Sequence, residues 1–140
     1  MGRVIEQETQ LLAVLRRAKR SLTKPRLTVF QALQQPEPLP MRQLIAKCGA
    51  IDRASVYRTI ALFEQLGIVQ RLTIGWKYKL ELSDRFQAHH HHLICKTCGA
   101  IISLPEDKTL EYWVQRVTGS YHYSLLSHQL EIRGLCPNCK

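Results

Sequence analysis

Five cysteines occur in the chain, and four of them form two CxxC pairs, Cys95 with Cys98 and Cys136 with Cys139. No other feature restricts the fold as tightly. A CxxC turn places two thiolates on one knuckle, and two knuckles complete the tetrahedral sulfur shell that zinc prefers. Disulfides, a thioredoxin-like redox pair and an iron–sulfur cluster are the alternatives. Neither pair follows a strand in a thioredoxin-type βαβ context, and the chain reads as cytoplasmic, so a structural Zn(II) is expected. Thirty-seven residues lie between the two pairs, more than in a usual zinc ribbon. The metal would therefore close a loop containing a whole helix and staple a domain. Cys48, in an apolar helical stretch without a cysteine partner, reads as a small core residue.

The charge is divided unevenly. The formal net charge is +9 over 140 residues, and residues 1–82 carry 14 Lys/Arg against 6 Asp/Glu, leaving the second half nearly neutral. A small, strongly basic module has the electrostatic footprint of a polyanion binder, although a solvated basic face has the same composition. The N-terminus lacks an apolar leader with a cleavage site, and no run of about 18 apolar residues occurs. A cytoplasmic location with no membrane partner is the expectation.

Periodicity describes the basic half. Leu11, Leu15, Ala18 and Leu22 fall on one face of a first helix. Pro25 opens a second helix with Leu27, Phe30 and Leu33, and Pro40 a third with Leu44 and Ile45, closed by Gly49. A fourth is predicted from about Asp52 to Leu66, with Val56, Ile60, Phe63 and Leu66 on its buried stripe and Gly67 ending it. IVQRLTI and KYKLEL then favour strands about Gly75, with Tyr78, Leu80 and Leu82 alternating with Lys77, Lys79 and Glu81. Helices followed by a basic hairpin describe a winged helix-turn-helix domain over residues 1–82.

Residues 83–92 link this domain to a different composition over 93–140: AIISL, a helix with Leu110, Trp113, Val114 and Val117 on one face, and a last strand around LLSHQLEIRGL. The overall class is α+β. The link ends in His89, His90, His91 and His92. In an extended chain these alternate, His89 and His91 to one side and His90 and His92 to the other, so that one tract can serve two metal sites. Glu81, Glu111 and His128 are candidate partners, giving mixed nitrogen and oxygen environments suited to first-row divalent metals.

The run IDRASVYRTIALFEQLGIVQR, then HHHHLICKTCGAII, then GLCPNC, resembles the ferric uptake regulator (Fur) family from about Lys24 to Cys139. The resemblance implies a winged-helix domain, a small α/β dimerisation domain with a four-cysteine zinc site, and a divalent metal corepressor that fixes a DNA-binding dimer. It implies structural zinc on Cys95, Cys98, Cys136 and Cys139, a regulatory site on Glu81, His90 and His92, and a second site on His89, His91, Glu111 and His128. The pattern departs in one place: the family's regulatory site usually takes a further His after the second helix, and QQPEPLPMRQ contains none. Glu37 is the nearest substitute. Fe(II), Zn(II) and Mn(II) all suit these ligands.

On the recognition helix, Arg53, Ser55, Tyr57 and Arg58 lie away from the buried stripe, where they can meet base edges. Lys24, Arg26 and Lys77 are the expected phosphate contacts, with an exposed solubilising charge as the plain alternative for each. The expected protein is a homodimeric, metal-dependent repressor that binds a palindromic double-stranded operator, and not an enzyme, since HExxH and a coherent acid/base pair are missing. A peroxide-responsive regulator of the same family and a constitutive DNA-binding protein with a purely structural zinc are the alternatives.

Overall fold

Local signals place the helices of the first half. A computed structural model describes residues 2–140 and begins with α1 (Gly2–Arg17), α2 (Lys24–Ala32), α3 (Met41–Lys47) and α4 (Arg53–Gln65). Pro25 stands in the first turn of α2, where its missing N–H costs nothing. Asp52 caps α4: its carboxylate accepts the Ser55 backbone N–H at 3.0 Å and the Ser55 hydroxyl at 2.6 Å. At the other end Leu66 is the C-cap and Gly67 takes φ 67°, the left-handed conformation that stops a helix cheaply only at glycine.

The first helix differs from its expected span. It starts at Gly2 and ends at Arg17, so Ala18 and Leu22 lie beyond it. Lys19 adopts φ 55°, which turns the chain out of the helix, and Leu22 packs on the core from the loop.

After α4 come β1 (Val69–Ile74) and β2 (Lys77–Leu82), antiparallel, with Val69 opposite Leu82 and Ile74 opposite Lys77. Gly75 has φ 62° and Trp76 has not, the pattern of a type II′ two-residue turn. Leu39 exchanges backbone hydrogen bonds with Leu80 at 2.8 and 2.7 Å, fastening the segment before α3 to the hairpin. Leu11, Phe30, Leu44, Val56, Phe63 and Leu80 meet in one core, where Phe30 and Phe86 pack edge to face with centroids 5.2 Å apart. The alternation in β2 is broken at one position: Glu81, on the polar face, is only 3% exposed.

The chain divides between Ala88 and His89 into two units. The second contains β3 (His90–Cys95), β4 (Ile101–Pro105), α5 (Lys108–Ser120) and β5 (Glu131–Gly134), with strand order β4-β3-β5. β3 pairs antiparallel with β4 and parallel with β5. The last strand is shorter than expected, and His128 precedes it in irregular chain. Ile94 and Cys95 are the hydrophobic residues buried in this unit among those described, and no residue of α5 is buried. So small a core leaves the unit dependent on something besides apolar burial.

Candidate metal centres and nucleic-acid face

Two backbone knuckles build the sulfur cluster. Cys95 ends β3, the Gly99 N–H donates to the Cys95 carbonyl at 3.0 Å, and Gly99 takes φ 74° to make the turn. The Cys139 N–H donates to the Cys136 carbonyl at 2.9 Å, and the Lys96 N–H reaches the Gly134 carbonyl at 2.9 Å, which brings the two knuckles side by side. All four sulfurs lie within 4.8 Å of one another. Thiolates about 2.3 Å from a tetrahedral ion stand about 3.8 Å apart, and the Cys98 and Cys136 sulfurs are separated by 3.8 Å.

Two of the thiols are shifted in opposite directions. Backbone N–H groups of Cys98 and Cys136 aimed at its sulfur lower Cys95 to about 6, whereas the hydrogen bond with Cys136 pushes Cys139 up to about 12. Cys95 is thus poised as a thiolate, whereas Cys139 is held as a thiol. A bound divalent cation favours the thiolate form of its ligands, so this donor set fits zinc.

The odd-numbered histidines of the tract enter a second cluster within the same unit. His91 Nε2 lies 3.0 Å from Glu111 Oε1, His128 Nε2 lies 3.1 Å from the same oxygen, and the His89 and His128 Nε2 atoms are 3.1 Å apart. Nitrogen and oxygen ligands at about 2.1 Å from one ion would be separated by about 3.0–3.4 Å, from octahedral to tetrahedral arrangements. Burial pushes the Glu111 carboxyl up, but hydrogen bonds with His91 and His128 and the charge of the imidazoles outweigh it and hold it below its usual range. The Nδ1 of His91 is buried with no hydrogen-bond partner, the kind of cost found where a side chain is arranged for function.

The even-numbered histidines face the other way. His90 and His92 have ring centroids 4.7 Å apart on β3, with His92 4% exposed. In the first unit, Gln70 opposite Glu81 donates its Nε2–H to Glu81 Oε1 at 2.6 Å. A buried carboxylate is costly unless paired or used on a cation. Glu37, by contrast, is exposed in the loop before α3.

The expected DNA-contact residues spread over α2, α4 and the hairpin. Arg53, Tyr57 and Arg58 are exposed on α4, with the Arg53 guanidinium 5.7 Å from the Tyr57 ring centroid. Ser55 is committed locally: its hydroxyl donates to Asp52 and accepts from Arg58 Nη2 at 3.2 Å. Arg58 and Arg26 line one open groove of about 470 Å³ together with Arg20, which the sequence reading passed over. Arg26 is tied to the Ser21 carbonyl, Lys24 is exposed at the start of α2, and Lys77 is exposed at the hairpin tip with its Nζ 4.9 Å from the Trp76 ring centroid. The sequence reading also passed over Gln70, although a two-residue turn at Gly75 and Trp76 fixes it opposite Glu81.

A winged helix-turn-helix unit and a unit bearing thiolate and imidazole clusters, in one chain, make up a metalloregulator of transcription. Residues 17–133 match the model of the ferric uptake regulator family, and the chain belongs to that family. It is 35% identical over 129 residues to the ferric uptake regulation protein of Vibrio cholerae, covering 87% of this chain and 84% of that one. The crystal structure of the Vibrio cholerae ferric uptake regulator superposes with a TM-score of 0.70 at 33% identity, over 89% of this chain and 98% of that one. The ferric uptake regulator of Francisella tularensis, solved with iron, gives 0.68 at 25% identity, over 85% and 93%. Family members are metal-responsive repressors, and this chain carries its own clusters of metal ligands. Among the described residues no helix is long and apolar enough to cross a membrane.

Proposed function

We propose that the protein is a homodimeric repressor that binds a palindromic operator when a divalent metal, iron or zinc, occupies a regulatory site formed by Glu81, His90 and His92. One observation carries this reading. A carboxylate buried at the end of the wing strand and a pair of imidazoles at the start of β3 flank the link between the DNA-binding unit and the second unit. Ligands on both sides of a link let binding energy bias the arrangement of the two units, which is what a switch needs. A bound cation would compensate the buried carboxylate. Gln70 orients Glu81 through one oxygen; Cys95, Cys98, Cys136 and Cys139 hold structural zinc; His89, His91, Glu111 and His128 hold the second site. Arg53, Tyr57 and Arg58 read the major groove, with Lys24, Arg26 and Lys77 on phosphates and Ser55 ordering Arg58.

The test is fluorescence anisotropy with a labelled duplex enriched from a random pool, using protein that keeps its four-cysteine zinc, titrated separately with Fe(II), Zn(II) and Mn(II). One metal should tighten binding at least about tenfold, a coupling of about 1.4 kcal/mol. Equal binding with and without added metal would leave a constitutive DNA-binding protein, the reading that the absence of a histidine between residues 34 and 43 favours. Loss of binding after peroxide, with an oxidised histidine found by mass spectrometry, would assign the signal to peroxide instead.

A further inference from the structure

A helix N-cap asks only for an oxygen that accepts a backbone N–H, and Ser or Asn serves as well as Asp. The residue that caps α4 is nevertheless Asp52, an exposed acid within residues 1–82, which carry 14 basic against 6 acidic side chains. On a helix that meets a polyanion, a carboxylate there repels phosphates. Capping alone leaves the charge unexplained. A carboxylate differs from an amide or a hydroxyl in accepting on two oxygens while donating on neither. Asp52 uses both: Oδ2 takes the Ser55 backbone N–H at 3.0 Å and Oδ1 the Ser55 hydroxyl at 2.6 Å, a length usual for a charge-assisted bond. These bonds hold the carboxyl below its ordinary value, so at neutral pH it has no proton to give and the Ser55 hydroxyl proton is committed to it. Only lone pairs of Ser55 Oγ remain for other groups, and Arg58 Nη2 donates to one at 3.2 Å. The bonds therefore run in one direction, from Arg58 through Ser55 to Asp52, along one ridge of the helix. Ser55 and Arg58 also line the open groove that holds Arg20 and Arg26.

We propose that Asp52 is a positioning residue that sets operator specificity through Ser55: it makes Ser55 Oγ an acceptor only, which steadies the Arg58 guanidinium and withholds the hydroxyl proton from base acceptors. This rests on the reading of α4 as the major-groove helix. Guanine presents two acceptors, N7 and O6, on its major-groove edge, and the flat fork of an Arg matches them only when its plane is fixed. One Arg58 N–H is spent on Ser55 and the rest stay available. A freely rotating Arg would satisfy a phosphate equally well and read nothing. A Ser hydroxyl with a loose proton is as indiscriminate, since it donates or accepts to suit any base edge. The acid at position 52 removes both freedoms at once. Its repulsion of phosphates lowers affinity for every duplex alike, which costs binding but not discrimination. Selection among sites depends on the ratio of affinities, so a sequence reader gains by that exchange.

The experiment uses the metal-loaded full chain, enrichment of duplexes from a random pool with sequencing of the survivors, and anisotropy on one selected and one unselected duplex. Arg58→Ala identifies the position that Arg58 reads, as the one whose guanine preference disappears. At that position Asp52→Asn should lower the preference for guanine about tenfold, although Asn keeps the cap. Its affinity for the unselected duplex should rise about two- to threefold, because an exposed negative charge is lost. Ser55→Ala should give the same loss of preference, and the Asp52→Asn/Ser55→Ala double variant no more than either alone, since both act on one chain of bonds. A weakening shared by all duplexes in Asp52→Asn overturns the proposal, because Asp52 would then be a helix cap and nothing more. A further loss of preference on adding Asp52→Asn to Ser55→Ala also overturns it, since Asp52 would then act on DNA without Ser55. If the wild-type chain enriches no duplex, the DNA-binding reading falls and this inference with it. Enrichment of a motif that Arg58→Ala or Asp52→Asn leaves intact sinks this inference alone.

Discussion

The Nε2 of His91 lies 3.0 Å from Oε1 of Glu111, and His128 Nε2 approaches that same oxygen at 3.1 Å. A carboxylate oxygen can accept from both, but a ring of nitrogens around one acid oxygen equally describes a cation's ligands. Glu111→Gln separates the two descriptions, because it keeps the size and one acceptor oxygen and removes the charge. With the four-cysteine zinc retained, calorimetric titration of Zn(II) should show this site weakened by more than the roughly 10- to 100-fold that loss of a supporting contact brings. Unchanged affinity would mean that Glu111 only orients the histidines.

Asp52 gives the first unit a local response to acid. Hydrogen bonds from the Ser55 side chain and backbone, with the charge of Arg58, hold its carboxyl below its ordinary value. Because the folded value is the depressed one, the contribution is present above the unfolded value of about 3.9 and is lost as pH falls through the folded one. Asp52→Asn keeps a good cap and removes the titration. The Ser55 amide shift in the wild type should titrate with a midpoint below about 3.9. The melting-temperature difference between wild type and Asp52→Asn should shrink over the same pH range. A Ser55 midpoint at or above the ordinary aspartate value would remove the cap from this account.

Much of this architecture was legible because short-range rules decide it. The bounds of α4 follow from Asp52, the Val56/Ile60/Phe63 stripe and Gly67, all within one stretch of chain. The four-cysteine cluster follows from two spacings, since each knuckle is local and zinc chemistry joins them. The extent of α1 was less legible: its first turns carry Val4 and Ile5 exposed, so no buried stripe announces them. His128 was expected in a strand, but its neighbours Leu125 and Leu126 are exposed, and apolar composition alone does not secure ladder partners. Glu81 was legible as a candidate metal ligand on the polar face of an alternating strand, but not as a buried one; its burial depends on tertiary surroundings that a period-two pattern does not encode.

The cysteine cluster should matter more to the second unit than its position near the chain end suggests. With Ile94 and Cys95 as the buried hydrophobic residues there, and with Lys96 and Gly134 tied next to the knuckles, loss of one thiolate leaves little to keep β3 beside β5. Cys136→Ser should lower the zinc content by about one per chain, and several kcal/mol of metal-linked folding energy go with it. Hydrogen exchange should then show protection lost across β3, β4 and β5 and retained in α4, whose Val56 and Phe63 pack in the separate core of the first unit. Loss of protection in α4 to the same extent would contradict that independence.

The exposed apolar residues of α5 allow a test of the proposed homodimer. Trp113 is 53% exposed, Ile132 on β5 is 46% exposed and Ile102 on β4 is 58% exposed, so the helix and the sheet both present apolar surface that a monomer does not use. Single exposed hydrophobics are ordinary, but several on one small unit with almost no core of its own mark an interface. If a second copy covers them, a charge placed among them must be buried unpaired on association, at a cost of several kcal/mol. Trp113→Glu should therefore shift sedimentation from dimer to monomer at micromolar concentration. The same variant should keep its four-cysteine zinc, because Trp113 is not among those ligands. Its DNA affinity should fall steeply, since a palindrome holds a monomer by one half-site where a dimer engages two. A Trp113→Glu protein that remains dimeric would place the interface elsewhere and leave the apolar face of α5 without this explanation.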